Sequence, residues 1–271
     1  MPAPERYLNR LVGKVAIVTG AGGVPDGDGT GKAIAILFAG EGAKVCVADA
    51  LAERAELTRS LIAAEGGEAF CVTGNVARDE DCHTIVSQTV ERFGRLDVLV
   101  NNVGISGGTT FEQFDEADWQ RTIDVNLKSA VLMSRHAVPV MAAQGGGTII
   151  NIASIAGIRR YGSLAYGPSK AAMIALSGDI AMTQGKHGIR ANTIAPGHVM
   201  TPMAVNSTPP EAREARRKAG PLGLEGDAWD VAFAAVFLAS DEARFVNGVC
   251  LPVDGGVIEA GSLFAHHIIT Q

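Results

Sequence analysis

The stretch that decides the fold is Lys14-Val-Ala-Ile-Val-Thr19 followed by Gly20-Ala-Gly-Gly-Val-Pro-Asp-Gly-Asp-Gly-Thr-Gly31-Lys32. A short apolar run without polar interruption reads as a buried strand. The glycines after it read as a tight turn into a helix over residues 32–42. Glycines let a backbone approach a pyrophosphate closely, and a helix N-terminus offers free N–H groups and the positive end of its dipole. A glycine-rich turn alone also serves where nothing binds, so Asp49 carries weight beside it. It ends the next apolar run, 29 residues after Gly20. A carboxylate there accepts hydrogen bonds from an adenosine ribose and repels a 2′-phosphate, which points to NAD. The plainer role for Asp49 is a cap on the helix that follows.

Outward from this unit the chain alternates β-branched runs with helical patterns. Strands are expected at residues 14–19, 44–48, 69–73, 96–100, 148–153, 189–195 and 249–253. Helices are expected at 32–42, 50–65, 79–93, 118–143, 164–184 and 230–239, with an irregular, proline-containing stretch at 196–226. Such alternation predicts an α/β fold: a Rossmann-type, doubly wound, seven-stranded parallel sheet with helices on both faces. No linker or repeat interrupts it, so residues 1–271 read as one domain.

Composition sets the excluded classes. The net charge is −6 and the basic residues near 213–218 are interrupted by Glu214 and Ala215, which argues against nucleic acid. No apolar stretch approaches a membrane span, and the first ten residues lack the apolar segment of a secretory signal. Cys46, Cys71, Cys82 and Cys250 are scattered and form no CxxC pair, so they read as small buried hydrophobes in a reducing, cytoplasmic setting. No metal site is expected; the adjacent His266 and His267 lack further ligands.

The chemistry is carried by Tyr166-Gly-Pro-Ser-Lys170. On a helix, positions i and i+4 share a face, so the ammonium lies beside the phenol. A free phenol, with a pKa of about 10, is a poor base at neutral pH; a neighbouring cation favours its ionised form. A Tyr–Lys pair on a helix is most often a surface pair. Here Ser154 precedes it at the carboxyl end of the fifth expected strand, where ligands bind in open α/β sheets.

Taken in order, these residues resemble the short-chain dehydrogenase/reductase family from about Gly13 to Gly256. The family's cofactor turn, T-G-x-x-x-G-x-G, matches Thr19-Gly20 and Gly29-Thr30-Gly31. Eight residues separate Gly20 from Gly29, five more than the family pattern. The inserted residues 24–28 are expected to bulge over the adenosine side, with Asp26 and Asp28 facing solvent. The resemblance implies that Gly20, Gly29, Thr30, Gly31, Asp49, Asn75, Val76, Asn101, Gly104, Tyr166, Lys170, Val199 and Thr201 bind the cofactor. Asn75-Val76 stands where many members have Asp-Val at the adenine, and Asn101-Asn102-Val103-Gly104 resembles the family's N-N-A-G. The implied catalytic set is Asn126, Ser154, Tyr166 and Lys170, with the Asn126 carbonyl holding a water that links Lys170 to solvent.

Ser154 and Tyr166 are 12 residues apart, one fewer than usual in the family. The loss falls in the loop at 157–164 and is expected to reshape the pocket rather than the chemistry. Pocket candidates are Ile105, Ser106, Ile155, Arg159, Arg160, Tyr161, His198, Met200 and Met203. Most are apolar, favouring a hydrophobic or cyclic alcohol or ketone, with Arg159 or Arg160 available for a carboxylate. Residues 202–226 resemble the family's mobile substrate segment, and within the tail at 257–271 the apolar residues 264–269 are expected to pack on a neighbouring subunit. The resemblance implies a homotetramer. The expected function is NAD-dependent interconversion of a secondary alcohol and a ketone. The alternatives are a 3-ketoacyl-type ketoreductase, which Asp49 and the net charge oppose, and a dinucleotide-binding protein without turnover, which the full Asn126, Ser154, Tyr166, Lys170 set opposes.

Overall fold

The computed structural model describes residues 8–25, 27–107 and 110–261. The seven strands are β1 (Val15–Thr19), β2 (Lys44–Asp49), β3 (Ala69–Thr73), β4 (Val98–Asn101), β5 (Gly147–Ile152), β6 (Ile189–Pro196) and β7 (Cys250–Val253). They form a single parallel sheet in the order β3-β2-β1-β4-β5-β6-β7, as the alternation predicted. The first three strands build outward from β1 on one side. The chain then crosses over, and β4 to β7 build outward on the other side. The reversal lies between β1 and β4, paired in the register Ala16 to Val98 and Val18 to Val100. The loops leaving these two strands diverge and open a crevice at their carboxyl ends.

Alternate residues of each strand serve two cores. On one face Ala16, Val18, Val45, Val47, Val100 and Ile150 pack with α1 (Thr30–Gly40), α2 (Ala52–Ala64) and α9 (Ala228–Ala239), through Ile34, Phe38, Ile62, Trp229 and Val236. On the other, Ile17, Cys46, Leu99 and Ile149 meet α3 (Asp79–Phe93), α5 (Ser129–Ala143) and α6 (Tyr166–Gln184), through Ile85, Met133, Met141 and Ile180. Cys46 and Cys82 are buried and reduced, as read; Cys71 and Cys250 are only partly covered, and all four are free thiols.

The structure corrects two expected elements. The helix foreseen at 118–143 is divided into α4 (Glu116–Ile123), a π-helical turn at Asp124–Lys128, and α5. The turn places Asn126 inward, where its side chain is fully buried. The irregular stretch at 196–226 contains α7 (Pro202–Ser207) and α8 (Pro210–Ala219). Pro202 and Pro210 each occupy a helix's first turn, where the missing N–H costs nothing. The expected packing of the C-terminal segment with His266 and His267 lies outside the described residues.

Candidate active site

The glycine turn after β1 is held from below by β4. Asn102 donates from its backbone N–H to Thr19 Oγ1 at 3.0 Å, and from Nδ2 to the carbonyls of Thr19 and Gly20 at 3.0 and 3.1 Å. These bonds bring the Gly20 carbonyl against the start of α1. A Cβ at Gly31 would lie 2.2 Å from that carbonyl oxygen and 2.5 Å from Asn102 Nδ2, whereas a Cβ at Gly29 would meet nothing within 4 Å. Gly31→Ala is therefore expected to cost about 1–3 kcal/mol of stability in chemical denaturation, the usual penalty of overpacking. Gly29→Ala should leave stability unchanged and narrow the cleft instead.

Asp49 reaches the same turn. Its Oδ2 accepts from Gly22 N at 2.9 Å and its Oδ1 from Leu51 N at 3.0 Å. The carboxylate thus braces the chain after β2 and also lines the cleft. The insertion behaves differently from expectation. Val24 and Gly27 pair as a small hairpin, and the Gly27 end abuts Pro202 of α7. Asp28 is only partly exposed. It forms an ion pair with Lys32 at 2.9 Å and accepts from Trp229 Nε1 at 3.1 Å. Burial would raise its carboxyl, and the Lys32 and Trp229 hydrogen bonds outweigh this and hold it below the usual value. Lys32, one turn on in α1, was the available sequence signal. Asp26 lies outside the described residues.

Around 610 Å³ of cavity runs from this turn to the carboxyl end of β5. It is lined by Gly20, Gly29, Thr30, Gly31, Asp49, Gly104, Ser154, Tyr166, Lys170, Val199 and Thr201, all expected at the site. Four expected residues are not in its lining. Asn101 points to the opposite face of β4 and donates to Asn151 Oδ1 at 2.8 Å, because strand alternation gives the cleft to Asn102 instead. Asn75 is exposed and its Oδ1 accepts from Ala77 N at 3.0 Å, while Val76 is buried in the core. Asn126 stands behind the cleft. Its Oδ1 accepts from Ile105 N at 2.8 Å, and its Nδ2 donates to Ile105 O at 3.0 Å and Ser169 Oγ at 3.1 Å. A widened helical turn that aims one side chain inward is a recurrent device at functional sites.

The shortened Ser154–Tyr166 loop still brings both hydroxyls together. Ser154 Oγ accepts from Ala156 N at 3.1 Å and lies beside the Tyr166 phenol. Gly157 makes the short path possible; a Cβ there would lie 2.7 Å from the Lys170 carbonyl carbon. Ser163 Oγ accepts from Tyr166 N at 3.0 Å and starts α6. Lys170 is 3% exposed. Its Nζ donates to Ile152 O at 2.9 Å and lies 5.8 Å from the centre of the Tyr166 ring. Burial pushes the Lys170 ammonium down to about 8. Burial also raises the Tyr166 phenol, opposed only by the neighbouring Ser154 hydroxyl. The expected lowering of the phenol, by Lys170 and the charge of an oxidised nicotinamide together, is not supplied by Lys170 alone. The ammonium faces the ring and the Ile152 carbonyl, and desolvation dominates at the phenol.

At the substrate end the cavity is lined by Ser106, Ile155, Tyr161, His198, Met203 and Arg216; Ile105, Arg159, Arg160 and Met200 are not in its lining. Arg159 cannot serve a carboxylate as expected: its Nε and Nη2 donate to Ile258 O at 3.0 and 2.8 Å. Arg54 and Arg216 are cleft residues that sequence reasoning missed. A second cavity, about 580 Å³, lies at the amino ends of the strands around Lys14, Asp97 and Arg190. Its charges are largely committed, Lys14 to Asp241 and Arg95 to Asp97.

The family model described as enoyl-(acyl carrier protein) reductase matches residues 23–258. A solved structure from Burkholderia xenovorans, assigned to the short-chain dehydrogenases/reductases, superposes with a TM-score of 0.88 at 41% identity, covering 93% of this chain and 99% of that one. The chain belongs to the short-chain dehydrogenase/reductase family. A family structure of 7α-hydroxysteroid dehydrogenase, complexed with NADH and 7-oxo-glycochenodeoxycholic acid, gives a TM-score of 0.87 at 35% identity over 92% of this chain and 95% of that one. The 3-oxoacyl-[acyl-carrier-protein] reductase of Thermotoga maritima is 38% identical over 253 residues, covering 92% of this chain and 99% of its own length. The chain is thus an oxidoreductase of this family, and no helix among the described residues is long and apolar enough to cross a membrane.

Proposed function

We propose that the protein interconverts a secondary alcohol and a ketone with NAD, using Tyr166 as general acid/base. The observation that carries this reading is the neighbouring Ser154 and Tyr166 hydroxyls at the carboxyl end of β5, with the Lys170 ammonium buried beneath the phenol. The residues present fit a dinucleotide. The Gly29–Gly31 start of α1 faces the cleft, with open space at Gly29 where a side chain would intrude. Gly20, Thr30 and Gly31 would take the phosphates, Asp49 the adenosine ribose, and Gly104, Val199 and Thr201 the nicotinamide end. Bound there, the dinucleotide supplies the acceptor or donor of hydride.

Ser154, fixed by the Ala156 N–H, keeps its own proton free to donate to the substrate oxygen and orient it. Tyr166 takes the hydroxyl proton of an alcohol or returns one to a ketone oxygen. Lys170, anchored on Ile152 O, would act together with the positive charge of the oxidised nicotinamide to favour the ionised phenol that oxidation requires. Asn126 holds the Ile105 backbone and Ser169 in place behind both. Thr201 also caps α7, accepting from Ala204 N at 3.4 Å, so the nicotinamide end and the start of the lid are set by one side chain. The likeness to the Thermotoga maritima reductase favours a second reading, reduction of a 3-oxoacyl carrier. Against it, two of the arginines on α8 are already paired with acids, which leaves a poor docking face for an acidic carrier. The exposed Val131 of α5 and Met182 of α6 support assembly into a tetramer through these helices.

The test is steady-state turnover over a panel of acyclic, cyclic and aromatic secondary alcohols and their ketones. The proposal expects turnover with at least one pair; cofactor binding with no turnover on any would favour the non-catalytic reading. The cofactor choice has its own test. Asp49→Asn keeps an acceptor for Gly22 N but removes the charge. It is expected to lower the ratio of kcat/KM with NAD to that with NADP by about tenfold or more, equivalent to about 1.4 kcal/mol. An unchanged ratio would show that Asp49 acts only as a cap.

A further inference from the structure

Three arginines lie on α8, at positions 213, 216 and 217. Arg213 presents its Nε and Nη2 edge to Glu225, with Nε to Oε1 at 2.7 Å. Arg217 presents the same edge to Glu214, with Nε to Oε2 at 2.8 Å and Nη2 to Oε1 at 2.7 Å. Arg216 is the arginine of this helix that lines the active-site cavity. Its Nε is buried and has no hydrogen-bond partner among the described residues. A buried, unmatched guanidinium donor is a costly thing to keep, so its setting asks for an acceptor.

Among the described residues, the nearby acids do not supply one. Glu225 is close enough to feel the Arg216 charge, but both its oxygens are taken by Arg213. Asp254 faces the same region, and its two oxygens accept from Gly256 N and Ile258 N, each at 2.9 Å. Arg216 also has a fixed seat. His198 Nδ1 donates to the Arg216 carbonyl at 3.2 Å, tying α8 to the segment after β6. The His198 ring meets Tyr161 edge to face, centroids 6.4 Å apart, and both rings line the cavity. Arg216 is therefore held beside an aromatic wall at the substrate end, away from Tyr166.

We infer that Arg216 determines specificity by pairing its free guanidinium edge with a carboxylate on the substrate, remote from the reacting carbon. Resting on the oxidoreductase reading above, this makes the substrate a secondary hydroxy acid or keto acid. The fork of Nε and Nη2 matches a carboxylate in two parallel hydrogen bonds, the arrangement its two neighbours already make with Glu225 and Glu214. Because Arg216 belongs to α8, a substrate so held also fixes that helix over the cavity.

The test uses the full chain loaded with NADH. The probes are a cyclohexanone bearing a carboxymethyl group, one bearing a carboxypropyl group, and their methyl esters. Each is titrated calorimetrically, and its reduction is followed in parallel. The wild type is expected to bind at least one acid about tenfold or more tighter than its ester. Arg216→Leu should abolish that preference, with NADH affinity and ester affinity unchanged. Arg216→Lys, which keeps the charge without the fork, should retain part of it. Equal affinity of acid and ester in the wild type overturns the inference, as does a preference that survives Arg216→Leu. A loss of NADH affinity in Arg216→Leu also overturns it, by assigning the guanidinium to the cofactor's phosphates. Acids that bind through Arg216 without being reduced would leave this site standing and sink the oxidoreductase reading; ketones reduced with no preference for the acid would do the reverse.

Discussion

Tyr166→Phe is expected to lower kcat by about three orders of magnitude, within the range that a positioned general acid/base contributes, while leaving the fold and cofactor affinity intact. The substitution removes one hydroxyl and keeps the ring, which is largely buried at the start of α6. The neighbouring Ser154 hydroxyl accepts from Ala156 N and so keeps a partner. Nothing else in the cleft can take over. Tyr161 lines the cavity on the loop before α6, and the residue four positions after it is Ala165 rather than a lysine. The measurement is kcat with a saturating alcohol, alongside thermal melting and cofactor titration. A variant that retains a tenth of wild-type kcat would remove Tyr166 from the chemistry.

Lys170→Met should abolish turnover to a similar extent, yet raise stability at neutral pH. The ammonium sits in the core with a backbone carbonyl and a thioether for company and no carboxylate. Burial lowers its folded pKa from 10.5 to about 8. A base with a depressed folded pKa binds its proton less readily when folded than when unfolded. The penalty is present in full below the folded value, shrinks as pH rises from about 8 to about 10.5, and is gone above. A depression of that size corresponds to on the order of 3 kcal/mol. Methionine escapes the penalty but leaves Ile152 O without its donor, at a cost of about 1–3 kcal/mol. The net expectation is a gain on the order of 1 kcal/mol near neutral pH that turns into a loss of about 1–3 kcal/mol in strong alkali, where only the missing donor to Ile152 O counts. Denaturant unfolding at several pH values checks it, and a variant less stable than wild type at neutral pH would contradict it. Such an exchange of stability for function is typical of a charge buried for catalysis.

Much of this was legible in the sequence because the relevant signals are local. Apolar runs such as 14–19 and 44–48 can only be strands buried on both faces, and the order of Gly20, Asp49, Ser154, Tyr166 and Lys170 places each at a strand end or helix start. What was not legible depends on direction and on distant partners. Asn101 and Asn102 are adjacent and chemically identical; only strand register decides that Asn102 faces the cleft. Asp28 was expected in water because the Trp229 that meets it lies 201 residues away. The helices α7 and α8 were hidden by prolines that start them rather than break them. Arg216 could not be told from Arg213 and Arg217 until the acids paired with its neighbours were placed.

The central claim is that Tyr166 deprotonates an alcohol whose hydride passes directly to the nicotinamide. It is tested most directly by oxidising a substrate alcohol deuterated at the carbinol carbon and weighing the reduced cofactor by mass spectrometry. The account predicts deuterium in the cofactor at one atom per ketone formed by the wild type, and almost none formed over the same time by Tyr166→Phe. Ketone produced without deuterium in the cofactor, or equal transfer by both proteins, would contradict it.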